Sequence, residues 1–191
     1  MLGVVRASYN IAEFCNNNAD ATGAEVALRK DSSSPADGDT LGILKFIGDN
    51  DAGEKLSFSY ITTKAVDVTD GTEDGRLEFH TRGNGTIAER LRITEDGQIT
   101  QTAASGDTVF TLKRSDTNTT GLTGGINFAA SDGHSVASIQ ARGDGDNEGA
   151  HLQFYTTTAA AGDMFNAATV ERLRITSAGN VAFGVTDTPT A

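Results

Sequence analysis

Apolar and polar residues alternate along short stretches of this chain, and that alternation predicts strands with one buried face. Leu77-Glu78-Phe79-His80 and Leu56-Ser57-Phe58-Ser59-Tyr60 both read this way. In Glu89-Arg90-Leu91-Arg92-Ile93-Thr94 the pattern turns Leu91 and Ile93 to one side and Arg90 and Arg92 to the other. The stretches between are dense in turn formers: Gly48-Asp49-Asn50-Asp51-Ala52-Gly53, Asp70-Gly71-Thr72-Glu73-Asp74-Gly75, and Gly143–Gly149. Asp96-Gly97 before Ile99 predicts a tight hairpin corner. No window holds a capped 3.6-residue apolar period; Ala159–Met164 and Ala167-Ala168 are the places where a helical turn is expected. The fold class that follows is all-β, with about five or six short strands in each of two units.

The two units come from an internal repeat. Glu89–Thr94 recurs letter for letter as Glu171-Arg172-Leu173-Arg174-Ile175-Thr176, with Gly97 and Gly179 at the same distance beyond. Upstream, Leu44-Lys45-Phe46 matches Ile126-Asn127-Phe128, Leu77–Thr81 matches Leu152–Thr156, and Leu28-Arg29-Lys30 matches Leu112-Lys113-Arg114. Read as strands, these blocks divide the chain into a lead-in segment (residues 1–24) and β-repeat units over 25–104 and 105–191.

Composition sharpens this picture. Of the 191 residues, 37% are hydrophobic and 6% aromatic, with no Trp, so one-faced strands have little apolar surface to bury among themselves. A unit of about 80 residues is marginal when burial yields only about 25 cal/mol per Å2 and must offset chain entropy. The sequence therefore predicts either identical chains packing the same faces around an axis, or a monomeric β-sandwich of two sheets. A net charge of -11 argues against nucleic acid or an anionic membrane as partner. One cysteine, Cys15, excludes an intrachain disulfide and a cysteine zinc cage. No apolar run is long enough to span a bilayer, and residues 1–20 show neither the charged start nor the apolar stretch of a secretory signal. The expectation is a soluble protein with no membrane insertion.

Several motifs resemble a known family. Gly38-Asp39-Thr40-Leu41-Gly42, with Leu44 and Phe46 after it, is similar to the opening of modules common in bacteriophage tail fibres and tailspikes. Gly75–Thr81 resembles their central strand, and Glu89–Gly97 and Glu171–Gly184 resemble their closing element. That resemblance implies shaft modules of an elongated, β-rich homotrimer projecting from a virion, on tail or capsid, with other virion proteins and host surface glycans as partners. The closing element departs from the family pattern over Val181–Pro189. In such fibres a self-cleaving chaperone domain often follows it, whereas this sequence ends at Ala191. The expectations are a tip on a separate protein, a tip removed, or a short fibre or capsid decoration in its own right. A carbohydrate-binding module and a polysaccharide depolymerase stand as further alternatives.

Candidate chemistry is sparse. No hydrolytic triad or G-x-S-x-G element is present, so no catalytic residue and no cofactor is expected. In the repeat alignment His80 meets Tyr155 and His151 meets Arg76, so each histidine lacks a counterpart and reads as a surface strand residue. Asp144, Asp146 and Glu148 space oxygen ligands as a calcium loop begins, but Tyr155 stands where the bidentate Glu is required. Arg90, Arg92, Arg172 and Arg174 are expected to bridge to carboxylates of a neighbouring chain, with Leu91, Ile93, Leu173 and Ile175 packed between chains. Binding of anionic sugars is the competing role for these arginines.

Overall fold

A computed structural model describes residues 15–19, 21–103, 106–115, 119–145, 149–157 and 169–184. It parts into two compact units, Met1–Thr108 and Val109–Ala191. Among the described residues the structure is all-β. The first unit is one antiparallel sheet in simple chain order: β1 (Thr40–Asp49), β2 (Lys55–Asp67), β3 (Asp74–Gly83), β4 (Thr86–Ile93) and β5 (Ile99–Gln101). The second repeats the meander with β6 (Leu122–Ala129), β7 (Ser135–Gly143), β8 (Ala150–Thr157), β9 (Thr169–Ile175) and β10 (Val181–Phe183). The expected helical turns over 159–164 and 167–168 lie outside the described residues.

The hairpin corners explain the turn-forming stretches. Between β4 and β5 the Thr94 and Gly97 amides donate to the Gln98 and Thr94 carbonyls at 3.0 Å each. The Thr94 hydroxyl accepts from the Gln98 amide at 3.0 Å. Thr176, Gly179 and Asn180 repeat the three bonds between β9 and β10 at 2.9, 2.9 and 3.1 Å. Each loop ends on a glycine with positive φ, 80° at Gly97 and 82° at Gly179, which a side chain would strain. The β3–β4 corner is a two-residue turn on Asn84 (φ 47°) and Gly85 (φ 78°), the mirror-image turn that suits strand twist.

Register places the same residue classes in the same rows of both sheets. One face carries Leu44, Ile61, Phe79, Leu91 and Gln101 in a row in the first unit, and Ile126, Ile139, Phe154, Leu173 and Phe183 in the second, so the two differ in class only at the last position. Beside it run Thr63, Leu77, Ile93 and Ile99, matched by Ala141, Leu152, Ile175 and Val181. These apolar faces are open. Leu44 is 53% exposed, Phe46 52%, Phe128 50% and Phe183 81%.

The opposite faces are mostly polar and are closed at their centres, with Ile43 and Asn127 exposed on the edge strands. Thr62, Glu78, Ser138, Gln140, Gln153 and Glu171 are buried there, whereas Ala65 is the single buried apolar residue among the described ones. Hydrophobic burial within one unit therefore contributes little of what an independent domain needs.

Two expectations need correction. Leu28–Lys30 and Leu112–Arg114 form no ladder; each is an extended strap outside the sheet. Leu28 lies over Gly42 and Leu112 over Gly124 so closely that a Cβ on those glycines would stand 2.8 and 2.9 Å from the leucine Cβ. The second correction concerns the arginines. A β-bulge falls between Phe79 and His80 opposite β4, and again between Phe154 and Tyr155 opposite β9. Arg90 and Arg172 are the extra residues, so strict alternation fails there. Their Nε atoms donate to the hydroxyls of Thr81 (3.2 Å) and Thr156 (2.8 Å), in the rows beside Phe79 and Phe154. They thus lie toward the leucine face, while Arg92 and Arg174 lie on the polar one.

Candidate functional site

The densest chemistry sits on the polar face of the first unit, where β2, β3 and β4 bring Tyr60, Thr62, Arg76, Glu78, His80, Glu89 and Arg92 together. Alternation puts Arg76, Glu78 and His80 on one side of β3, and the bulge lets Glu89 face His80 across the ladder. Arg76 Nε donates to Glu78 Oε1 at 2.7 Å, and His80 Nε2 lies 3.0 Å from Glu78 Oε2. Arg92 Nη2 donates to Glu89 Oε2 at 2.7 Å. The His80 ring stacks on Tyr60 with centroids 4.3 Å apart and planes at 22°. Burial pushes the Glu78 carboxyl pKa up, but hydrogen bonds from Arg76 and His80, with the charges of Arg76 and Lys64, outweigh it and hold the group below its ordinary value. Glu89 raises the Arg92 pKa through its hydrogen bond. In front of this cluster lies a depression of about 340 Å3 that also touches Thr40, Ile43 and Lys64.

The second unit builds the corresponding network from other residues. Gln153 stands in the Glu78 row, Tyr155 in the His80 row and Glu171 in the Glu89 row. Gln153 Nε2 donates to Glu171 Oε2 at 2.8 Å, and the Tyr155 hydroxyl reaches Gln153 Oε1 at 3.0 Å. Arg174 grips Glu171 through two bonds of 2.8 Å, the parallel geometry that suits a guanidinium and a carboxylate. Burial raises the Tyr155 phenol pKa, and the charge of Glu171 adds to it.

The residues expected from sequence are distributed as follows. Leu91 and Ile93 sit in the apolar rows of the first unit, and Leu173 and Ile175 in those of the second. Arg92 and Arg174 are held by Glu89 and Glu171 of their own strands, with side chains 33% and 22% exposed. Arg90 and Arg172 lie at the border of the apolar rows. Of the calcium-loop candidates, Asp144 is exposed at the end of β7, while Asp146 and Glu148 lie outside the described residues. His80 is more enclosed than a surface strand residue, with 12% of its side chain exposed.

Sequence reasoning missed the Glu78–His80–Glu89 grouping. The Glu-x-His spacing on a strand puts the first two on one face, which was legible. The third arrives only through a register that includes the bulge.

No family model and no curated protein matches this chain. Among solved structures, it is similar to the carboxy-terminal domain of the bacteriophage T5 L-shaped tail fibre. That likeness has 9% identity, a TM-score of 0.42, and covers 94% of this chain and 93% of the other. The same T5 domain with its intra-molecular chaperone domain aligns at 11% identity and a TM-score of 0.30, over all of this chain and 64% of the other.

Proposed function

We propose that this protein is a non-enzymatic structural component of a bacteriophage particle, a β-rich fibre or spike in which three copies pack their apolar faces about a shared axis. One observation carries the reading: in both units the face lined by leucine, isoleucine and phenylalanine is open, while the buried residues gather at the centre of the polar face. Monomers rarely leave contiguous apolar patches beyond a few hundred Å2 uncovered. Identical copies are the natural cover, because cyclic symmetry brings equivalent rows onto one another and closes the interface. Leu91, Ile93, Leu173 and Ile175 then form the inter-chain packing rows. Arg92 and Arg174 already have partners on their own strands, so inter-chain bridging to carboxylates falls to Arg90 and Arg172 at the border.

The shaft-like motifs at Gly38–Phe46, Gly75–Thr81 and Glu171–Gly184 support the choice of a phage appendage and of three copies. Asp-, Asn- and Gly-rich corners such as Asn50–Glu54 offer exposed polar groups to a host surface. The test is immunogold electron microscopy with an antibody against the exposed Asp70–Gly75 stretch. Gold on an appendage of intact virions is the expected result. Virions that carry the protein nowhere on their surface would refute the assignment.

A further inference from the structure

We propose that Glu78, His80 and Glu89 form a binding site for a divalent transition-metal ion, with zinc as the natural occupant. One ligand atom from each of the three lies within 4.8 Å of the other two. Zinc takes imidazole nitrogen and carboxylate oxygen at about 2.0–2.2 Å, so ligand atoms around one ion stand about 3.5 Å apart. Closing this triangle asks for a shift of roughly 1 Å, within reach of glutamate torsions. The imidazole favours zinc, cobalt or nickel over calcium or magnesium, which prefer oxygen alone.

The surroundings suit an ion as well as they suit a bare hydrogen-bonded cluster. Arg76 engages one oxygen of Glu78 and Arg92 one oxygen of Glu89; the second Glu78 oxygen pairs with His80 Nε2 at 3.0 Å, a contact that an ion between the two would replace. Ligating carboxylates are commonly hydrogen-bonded from behind in this manner. Arg76, Arg92 and Lys64 more than offset the two carboxylates, so attraction comes from the converging donor atoms and not from net charge. The depression beside Tyr60 and Thr62 leaves room for water in a fourth position. Glu78 is 2% exposed, which sets this group apart from solvated acidic clusters.

The second unit supplies an internal control. The same three rows hold Gln153, Tyr155 and Glu171, and their hydrogen bonds close the network with one carboxylate and no imidazole. The first unit needs no histidine or second glutamate to make a sheet of this kind, yet it has both.

The experiment uses the full chain, titrated with zinc by calorimetry and with cobalt by visible absorption. One equivalent per chain is expected, with cobalt d–d bands of a nitrogen and oxygen site. The double variant Glu78→Gln/His80→Tyr installs the second unit's residues and is expected to lower stoichiometry from one to zero while circular dichroism is unchanged. Should that variant not fold, His80→Ala carries the same expected loss. Wild-type protein that takes up no zinc or cobalt would overturn the proposal. So would variants that keep the bound equivalent, since the ion would then sit elsewhere. The readout is independent of how many copies assemble.

Discussion

The two units solve one problem with different polar residues and the same apolar ones. Their leucine, isoleucine and phenylalanine rows match at the central strands, down to the bulge that displaces Arg90 and Arg172, and part at the edge, where Gln101 stands in the place of Phe183. Their polar faces diverge: a charged cluster of Arg76, Glu78, His80, Glu89 and Arg92 in one, a mostly neutral lattice of Ser138, Gln140, Gln153 and Tyr155 around Glu171 and Arg174 in the other. What is shared is what a common interface would need to keep fixed. A closed polar network has only to satisfy itself, so its members can change together.

Substitutions at matched positions probe that contrast. Phe79→Ala and Phe154→Ala should each destabilise the assembled protein by about 3–5 kcal/mol, as loss of a core phenylalanine does. On an uncovered surface the cost would stay within about 0.5 kcal/mol. Denaturant melts of the two variants decide between these values, and a small effect at either position would break the equivalence. Next comes the charged face. Arg76→Ala strips a hydrogen bond from the buried Glu78 carboxylate and should cost about 1.5–3 kcal/mol. Its counterpart His151→Ala removes only a 3.3 Å contact from the Ser177 amide and should cost no more than about 0.5 kcal/mol.

The straps provide a matched pair with a smaller effect. Gly42→Ala and Gly124→Ala place a Cβ under 3.0 Å from Leu28 and Leu112, an overpacking worth about 1–2 kcal/mol at each site. Equal losses in thermal melts would confirm that the straps are equivalent. The smallest effect is one of pH. Tyr155 has its folded-state phenol pKa raised above the ordinary 10.0. The neutral form is therefore favoured on folding, so this stabilisation is intact below pH 10 and is lost as pH rises through the folded-state pKa. His80 stands in the matching row, so amide exchange at alkaline pH should rise over β8 and β9 before β3 and β4. Simultaneous loosening would show that ionisation of Tyr155 does not weaken its sheet.

Much of this architecture is legible in the chain. Period-2 alternation marks β3 and β4, and the repeated Glu-Arg-Leu-Arg-Ile-Thr marks their copies. The Asp96-Gly97 corner follows from turn chemistry alone. The Asn84-Gly85 pair carries as strong a hairpin signal. The straps escaped because Leu28-Arg29-Lys30 has strand-like composition, and only the proximity of Gly42 shows that it packs outside the ladder. The arginine placement escaped because a bulge leaves no local mark in sequence. The polar cluster depends on the same register, so Glu78 and His80 are visible as neighbours and Glu89 is not.

Everything turns on whether one copy is enough. Light scattering coupled to size-exclusion chromatography, on protein at micromolar concentration, measures this directly. The account predicts a mass three times the 19.9 kDa of one chain, with no dissociation short of unfolding. A stable, folded species at 19.9 kDa would contradict it.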